Sequence, residues 1–106
     1  VIETLSRLEK IPYKNIMYIQ RQGKNSIFYL TDNTSTRIRK SLSQLYDEFN
    51  QEDFAYIDRG TIVNLAHIMM MADGNVKMSN GEYLYSSQTK IEEVKNKMNA
   101  FWRKKL

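Results

Sequence analysis

Apolar positions in this chain fall mostly in short runs of strand-forming residues, and only twice do they take the wider spacing of a helix. Ile11-Pro12-Tyr13 and Ile16-Met17-Tyr18-Ile19 are β-rich runs around a polar break at Lys14-Asn15. Arg21-Gln22-Gly23-Lys24-Asn25 is polar, and Gly23 and Asn25 tolerate the positive φ of a turn. Ser26-Ile27-Phe28-Tyr29-Leu30 predicts a strand, Thr31-Asp32-Asn33 a hairpin turn, and Thr36-Arg37-Ile38-Arg39 the partner strand. Phe54-Ala55-Tyr56-Ile57, Thr61-Ile62-Val63, Ile68 to Ala72, Val76-Lys77-Met78 and Tyr83-Leu84-Tyr85 continue the series. Asp73-Gly74-Asn75 and Ser79-Asn80-Gly81 are strong turn signals between them. This succession predicts a mainly β domain of antiparallel strands.

The first helical interruption places Leu42, Leu45, Tyr46 and Phe49 on one face, with Ser41 and Gln44 in the spacing of a capping box. The second runs over residues 89–105, with a stripe of Ile91, Val94, Met98, Phe101 and Leu106. Thr89 and Glu92 suggest another capping box there, and Arg103, Lys104 and Lys105 suit the negative end of the helix dipole. Both stripes predict packing surfaces. Residues 1–9 space Ile2, Leu5 and Leu8 three apart, as in a short amphipathic turn or the end of an interdomain linker. No internal repeat or low-complexity segment breaks residues 10–106, which are expected to form one domain.

Composition narrows the chemistry. The 106-residue chain begins at Val1 rather than methionine, as a piece of a longer protein would, and its length suits one domain with a modest core. The absence of cysteine removes disulfides, thiolate metal sites and thiol nucleophiles, and fits a reducing compartment. No apolar run approaches the roughly 18 residues of a membrane span and no signal-peptide pattern opens the chain, so a soluble, cytoplasmic protein is expected. A net charge of +4 and a pI near 9.3 favour a polyanionic partner. Eight of the sixteen Lys and Arg precede Asp53 and eight follow it, so any basic surface has to be assembled by folding.

Enzymatic constellations are thin, and no catalytic residue, metal site or cofactor is expected. His67 is the single histidine and sits among apolar neighbours, the setting of a structural residue more than of a general base. The pairs Asp47-Glu48, Glu52-Asp53 and Glu92-Glu93 lie on or beside helices, where a solvated face is ordinary. The four glycines form neither a phosphate loop nor a dinucleotide fingerprint. Met69-Met70-Met71 has the character of a polarizable binding surface, but strand alternation turns at least one side toward the core. The polar loops say more: Arg21 to Asn25, Asp58-Arg59-Gly60 and Ser86 to Lys90 carry cations for phosphate and Arg, Asn and Gln for base edges. Each alone reads as solvated surface. Three in one basic β domain point toward nucleic acid.

The segment Phe54-Ala55-Tyr56-Ile57-Asp58-Arg59-Gly60-Thr61-Ile62-Val63-Asn64, followed by Ile68, resembles the central signature of LytTR DNA-binding domains. Ile16 to Gln20 followed by Gly23-Lys24-Asn25 is similar to the family's opening strand and loop, and Asn80-Gly81 followed by Leu84 to its closing hairpin. The resemblance covers roughly residues 10–90. It implies an elongated, mainly β arrangement of small antiparallel sheets, with one short internal helix and a C-terminal helix here. It also implies loop-mediated binding to double-stranded DNA at tandem repeat sites by a largely monomeric domain, with an N-terminal receiver domain in the parent response regulator.

Carried over by position, the family's base-contacting sites fall on Asn25, Arg59 and Gln88. Arg21, Lys24 and Lys90 then supply phosphate contacts, and Gly60 offers backbone freedom at the Arg59 tip. The chain departs from the family pattern in having Asp58 and Gly60 beside Arg59, where many members carry His and Ser. It also has Gln88 where Arg is frequent, and Gln favours adenine over guanine geometry. Two other functions remain open at this level: an RNA or single-strand binder using the seven tyrosines as stacking platforms, and a protein-interaction module using the Met run and final helix.

Overall fold

The structure, a computed structural model, describes residues 2–3 and 8–105. Leu5 and Leu106, placed above in apolar stripes, lie outside them. In chain order the elements are β1 (Ile2–Glu3), β2 (Leu8–Glu9), β3 (Ile16–Gln22), β4 (Asn25–Leu30), β5 (Ser35–Ile38), α1 (Leu42–Glu48), β6 (Phe54–Asp58), β7 (Thr61–Asn64), β8 (Ile68–Ala72), β9 (Asn75–Met78), β10 (Tyr83–Tyr85) and α2 (Ile91–Lys105). Three sheets result: β1-β2, a five-stranded sheet in the order β5-β4-β3-β7-β6, and a three-stranded sheet in the order β10-β9-β8. Every ladder is antiparallel. The molecule measures 38 × 29 × 25 Å, so the elongation implied by the resemblance is modest.

Strands β3, β7 and β6 of the five-stranded sheet are covered on both faces, which explains their continuous apolar runs, whereas edge strand β5 alternates and leaves Ser35 and Arg37 exposed. On one face Ile16, Ile19, Phe28, Ile38 and Ile62 pack under Leu42, Leu45 and Phe49 of the α1 segment. On the other, Tyr18, Ala55, Ile57 and Val63 meet Ile68, Val76 and Met78 of the small sheet and Val94, Met98 and Phe101 of α2. Neighbouring residues such as Tyr18 and Ile19 thus enter opposite cores. Burying each such side chain fully stabilises the fold by about 1.5–3 kcal/mol. The capping box at α1 forms as the spacing predicts: the Ser41 hydroxyl accepts from the Gln44 N–H, and the Gln44 side chain accepts from the Ser41 N–H. At the β8–β9 hairpin, Asp73 and Gly74 both take positive φ (54° and 79°), the mirror-image turn that an Asp-Gly pair favours.

Four local expectations change. Ile11-Pro12-Tyr13 is not a strand: Pro12, at φ −63°, lacks an N–H for a ladder and leads into a 3₁₀ turn over Tyr13–Asn15, closed by the Asn15 N–H donating to the Pro12 carbonyl (2.9 Å). Residues 2–3 and 8–9 pair as strands, Ile2 opposite Glu9 and Glu3 opposite Leu8, so the backbone there is extended rather than an amphipathic turn. The second helix starts at Ile91, with the Lys90 carbonyl accepting from the Val94 N–H, so Thr89 lies one residue before the cap and its hydroxyl meets that of Ser87 instead. A register shift between Ile68 and Met70 breaks the alternation of the Met run, leaving Met69 and Met70 both exposed while Met71 packs on the core.

One buried amide ties the sheets together. Asn64, 4 % exposed at the end of β7, donates from Nδ2 to the carbonyls of Ile16 (2.8 Å) and Tyr13 (3.1 Å). Its Oδ1 accepts from the Ala66 N–H (3.1 Å), which starts the 3₁₀ turn Leu65–His67 and sends the chain into β8. His67 completes the junction from its own side, with Nε2 donating to the Lys14 carbonyl (2.6 Å) and Nδ1 3.1 Å from the Ser79 hydroxyl. Asn64→Ala removes two donors and an acceptor, one from a buried and two from part-buried backbone groups, at roughly 1–3 kcal/mol when such groups are left unpaired. A lower urea midpoint with an unchanged denaturant slope is the expected result, and a parental midpoint would contradict it.

Tyr18 adds a pH term. Its phenol donates to Glu82 Oε2 (2.5 Å) and its ring stacks on Tyr29 with centroids 4.6 Å apart. Burial first, then the hydrogen bond and charge of Glu82, hold the phenol pKa well above its ordinary value. The folded chain therefore keeps a proton that the unfolded chain loses near pH 10, and this stabilisation is full below that pH and declines above it. Urea unfolding at pH about 8 to 11 should show stability falling on the alkaline side, and less steeply in Tyr18→Phe. Equal alkaline slopes for parent and variant would rule the term out.

Candidate nucleic-acid interface

Hairpin geometry brings the three polar loops to one end of the five-stranded sheet. Gln22 still pairs with Asn25, so the first loop is only the turn Gly23-Lys24, with positive φ (61°) at Gly23 and none at Lys24. That is the pattern of a two-residue hairpin turn with glycine at its first central position. Arg21 and Gln22, grouped with the turn above, are ladder residues, because a polar side chain at a sheet end can pair its backbone and stay in water. In the second loop Asp58 pairs with Thr61 around the turn Arg59-Gly60, after a register shift between Tyr56 and Asp58.

Main-chain bonds tie these loops to one another. The Arg21 N–H donates to the Gly60 carbonyl (2.9 Å), joining the first hairpin to the second. The Ser87 N–H donates to the Ile57 carbonyl (2.7 Å), fixing the third loop beside the C-terminal end of β6. The buried Ser86 is held from its other side by the Gly74 carbonyl (2.8 Å). Gln88 therefore leaves an anchored backbone one residue after a bond to the hairpin that carries Arg59.

Side-chain availability differs among the six candidates. Arg21, Lys24, Arg59 and Gln88 are exposed, while Asn25 and Lys90 are half-buried. Among the described residues, Arg21, Lys24 and Arg59 enter no ion pair. Lys90 is engaged: its Nζ lies 3.6 Å from Glu93 Oε2 and 6.0 Å from the Tyr56 ring centroid. Such a partly exposed pair contributes about 0–1 kcal/mol and is exchangeable for a phosphate. Among the described residues Asp58 pairs with no cation. Its Oδ1 accepts from the Gly60 N–H (2.8 Å), closing its own turn. Gly60 takes no positive φ, and an added Cβ would meet only Asp58 Oδ1 at 3.9 Å, so the tip does not need glycine's freedom.

Arg39 closes the strand-forming run Thr36-Arg37-Ile38-Arg39, and nothing in that sequence context marks it as a site residue. The pairing of Ser26 with Ile38 brings the chain out of β5 at this same sheet end, with Arg39 exposed. Elsewhere, a cleft of about 490 Å³ lies between α2 and the α1–β6 connection, and its lysines have internal partners. Lys97 donates to the Tyr46 hydroxyl (2.5 Å) and to the Gln51 and Phe54 carbonyls (3.0 Å each), and Lys104 pairs with Glu52 (2.7 Å). Among the described residues no group of three or more His, Asp or Glu is placed to hold a metal, and no helix is long and apolar enough to cross a membrane.

The family model described as the LytTr DNA-binding domain matches residues 6–99. Among solved structures, the chain is similar to the LytTr DNA-binding domain of a Bacillus cereus protein described as a methyl-accepting/DNA response regulator. The TM-score is 0.77 at 20% identity, over 92% of this chain and 93% of that one. No curated protein matches the chain. Since the family model spans most of its 106 residues, the chain belongs to the LytTR family of DNA-binding domains.

Proposed function

We propose that this domain binds double-stranded DNA sequence-specifically, through loops, as the output module of a bacterial transcriptional regulator in the cytoplasm. The observation that carries the reading is the joining of three polar loops at one sheet end by main-chain bonds, with Arg21, Lys24 and Arg59 free of ion pairs among the described residues. In this scheme Arg21, Lys24 and Lys90 meet phosphates and set the register, while Asn25, Arg59 and Gln88 reach base edges. Residues 1–9 end a linker from an N-terminal receiver domain, and largely monomeric copies occupy tandem sites.

The test is a set of binding titrations on random and selected duplexes, with single-stranded DNA and RNA as competitors. Four to six neutralised phosphates would give a slope of log affinity against log salt near −4 to −5, by about −0.9 per phosphate. Arg59→Ala should melt like the parent and lose roughly 1–3 kcal/mol of specific binding. Lys24→Ala should weaken specific and scrambled duplexes alike and reduce the salt slope by about 1. A flat salt titration of the parent, or preference for the single-stranded competitors, would overturn the duplex reading. Parental affinity and selectivity in Arg59→Ala would remove that residue from the readers.

A further inference from the structure

We propose that Arg39 is a further contact to the DNA backbone, seated on the phosphates that flank the groove entered by Arg59. The inference rests on the duplex-binding reading and extends it to the opposite edge of the sheet.

The backbone on both sides of Arg39 is fixed while its side chain is left in solvent. Ile38, one residue earlier, is 1 % exposed in the core under α1. One residue later, the Lys40 carbonyl accepts from the hydroxyl of Ser26, a fully buried serine on the neighbouring strand (2.8 Å). Ser41 then starts α1 with its capping box. Lys40 and Arg39 have different fates: the Lys40 ammonium is bound to Glu48 Oε1 at 2.6 Å, whereas Arg39 is exposed and enters no ion pair or side-chain hydrogen bond among the described residues. A guanidinium on a rigid main chain, with no internal acid to satisfy, is prepared for an external oxyanion, and its planar fork suits two phosphate oxygens at once.

Sheet spacing supplies the distance. In the order β5-β4-β3-β7-β6, three inter-strand gaps separate β5 from β7, whose hairpin carries Arg59. At about 4.8 Å per gap the span is roughly 14 Å. The major groove is about 12 Å wide, so with Arg59 inside the groove a guanidinium roughly 14 Å away lies outside it, on the side of the flanking backbone. The neighbouring hairpin tip, with Lys24, lies between them.

The experiment compares the parent chain with Arg39→Ala, Arg39→Lys and a control, Arg103→Ala, whose residue is exposed near the other end of α2. Each is titrated with specific and scrambled duplex at several salt concentrations, after a melting curve. Arg39→Ala should melt like the parent, bind both duplexes about 3–10-fold more weakly and reduce the log–log salt slope by about 1. Arg39→Lys should keep the slope while losing part of the affinity, and Arg103→Ala should match the parent. Unchanged affinity and slope in Arg39→Ala, beside a parent that binds duplex with salt dependence, would overturn the Arg39 contact alone. A parent that binds without salt dependence would overturn the duplex reading and this contact with it.

Discussion

The arrangement depends on the side-chain amide of Asn64. Its two donated bonds hold the Tyr13–Asn15 turn and the start of β3, and its accepted bond initiates the turn that leaves the sheet. An amide can do this because it offers donors and an acceptor from one planar group, where a carboxylate offers acceptors only. With that junction fixed, β8 begins in the right place for the small sheet and α2 to close the second core. The same closure delivers the Ser86-Ser87 segment to Gly74 and Ile57. The register of the third loop on the first two is thus set by a buried bond cluster at the opposite end of β7.

Charge placement follows from how the acids are used. Glu48, Glu52, Glu92 and Glu93 lie within ion-pair distance of Lys40, Lys104, Lys95 and Lys90, all on or around the helices. Asp32 and Asp58 instead accept from backbone N–H groups of their own turns. Asp32 is held below the usual carboxylate range, first by its bond from the Thr34 hydroxyl and then by that from the Thr34 N–H. A charge of +4 spread evenly along the chain therefore becomes uneven in space: among the described residues Lys40, Lys90, Lys95 and Lys104 have acidic partners, and Arg21, Arg39 and Arg59 at the hairpin end enter no ion pair.

How much of this the sequence reveals follows the range of the interaction. Turn chemistry and capping act within a few residues, so the Asp73-Gly74 hairpin and the Ser41–Gln44 box are visible in the chain itself. The strand-forming runs of β3, β6 and β7 are visible too, and their continuous apolar character is what covering both faces of a strand requires. Three features are not: the register shift that exposes Met69 and Met70 together, the start of α2 at Ile91 rather than after Thr89, and the bonds from Arg21 to Gly60 and from Ser87 to Ile57. The last of these join residues far apart in sequence through backbone groups, which every residue except proline possesses. No side-chain identity records them. The loops that carry the candidate readers are legible one by one, but their convergence is a property of the fold.

Hairpin turns of two residues also bear on how such a domain would discriminate among DNA sequences. The candidate readers sit on or next to backbone that is already hydrogen-bonded, so little main-chain ordering is left for the moment of binding. Side-chain identity at these positions is then nearly independent of the scaffold: Arg59 and Gln88 are exposed, and neither contributes to a core. The turn beside Arg59 is closed by Asp58 on the Gly60 N–H, a bond that requires no nucleic acid and keeps the acid directed at its own backbone. Asp58 can therefore shape the tip while Arg59 projects from it. On the proposed reading, departures from the family pattern at such positions would alter what is read without altering the frame that presents it, so that one fold could serve different target sequences.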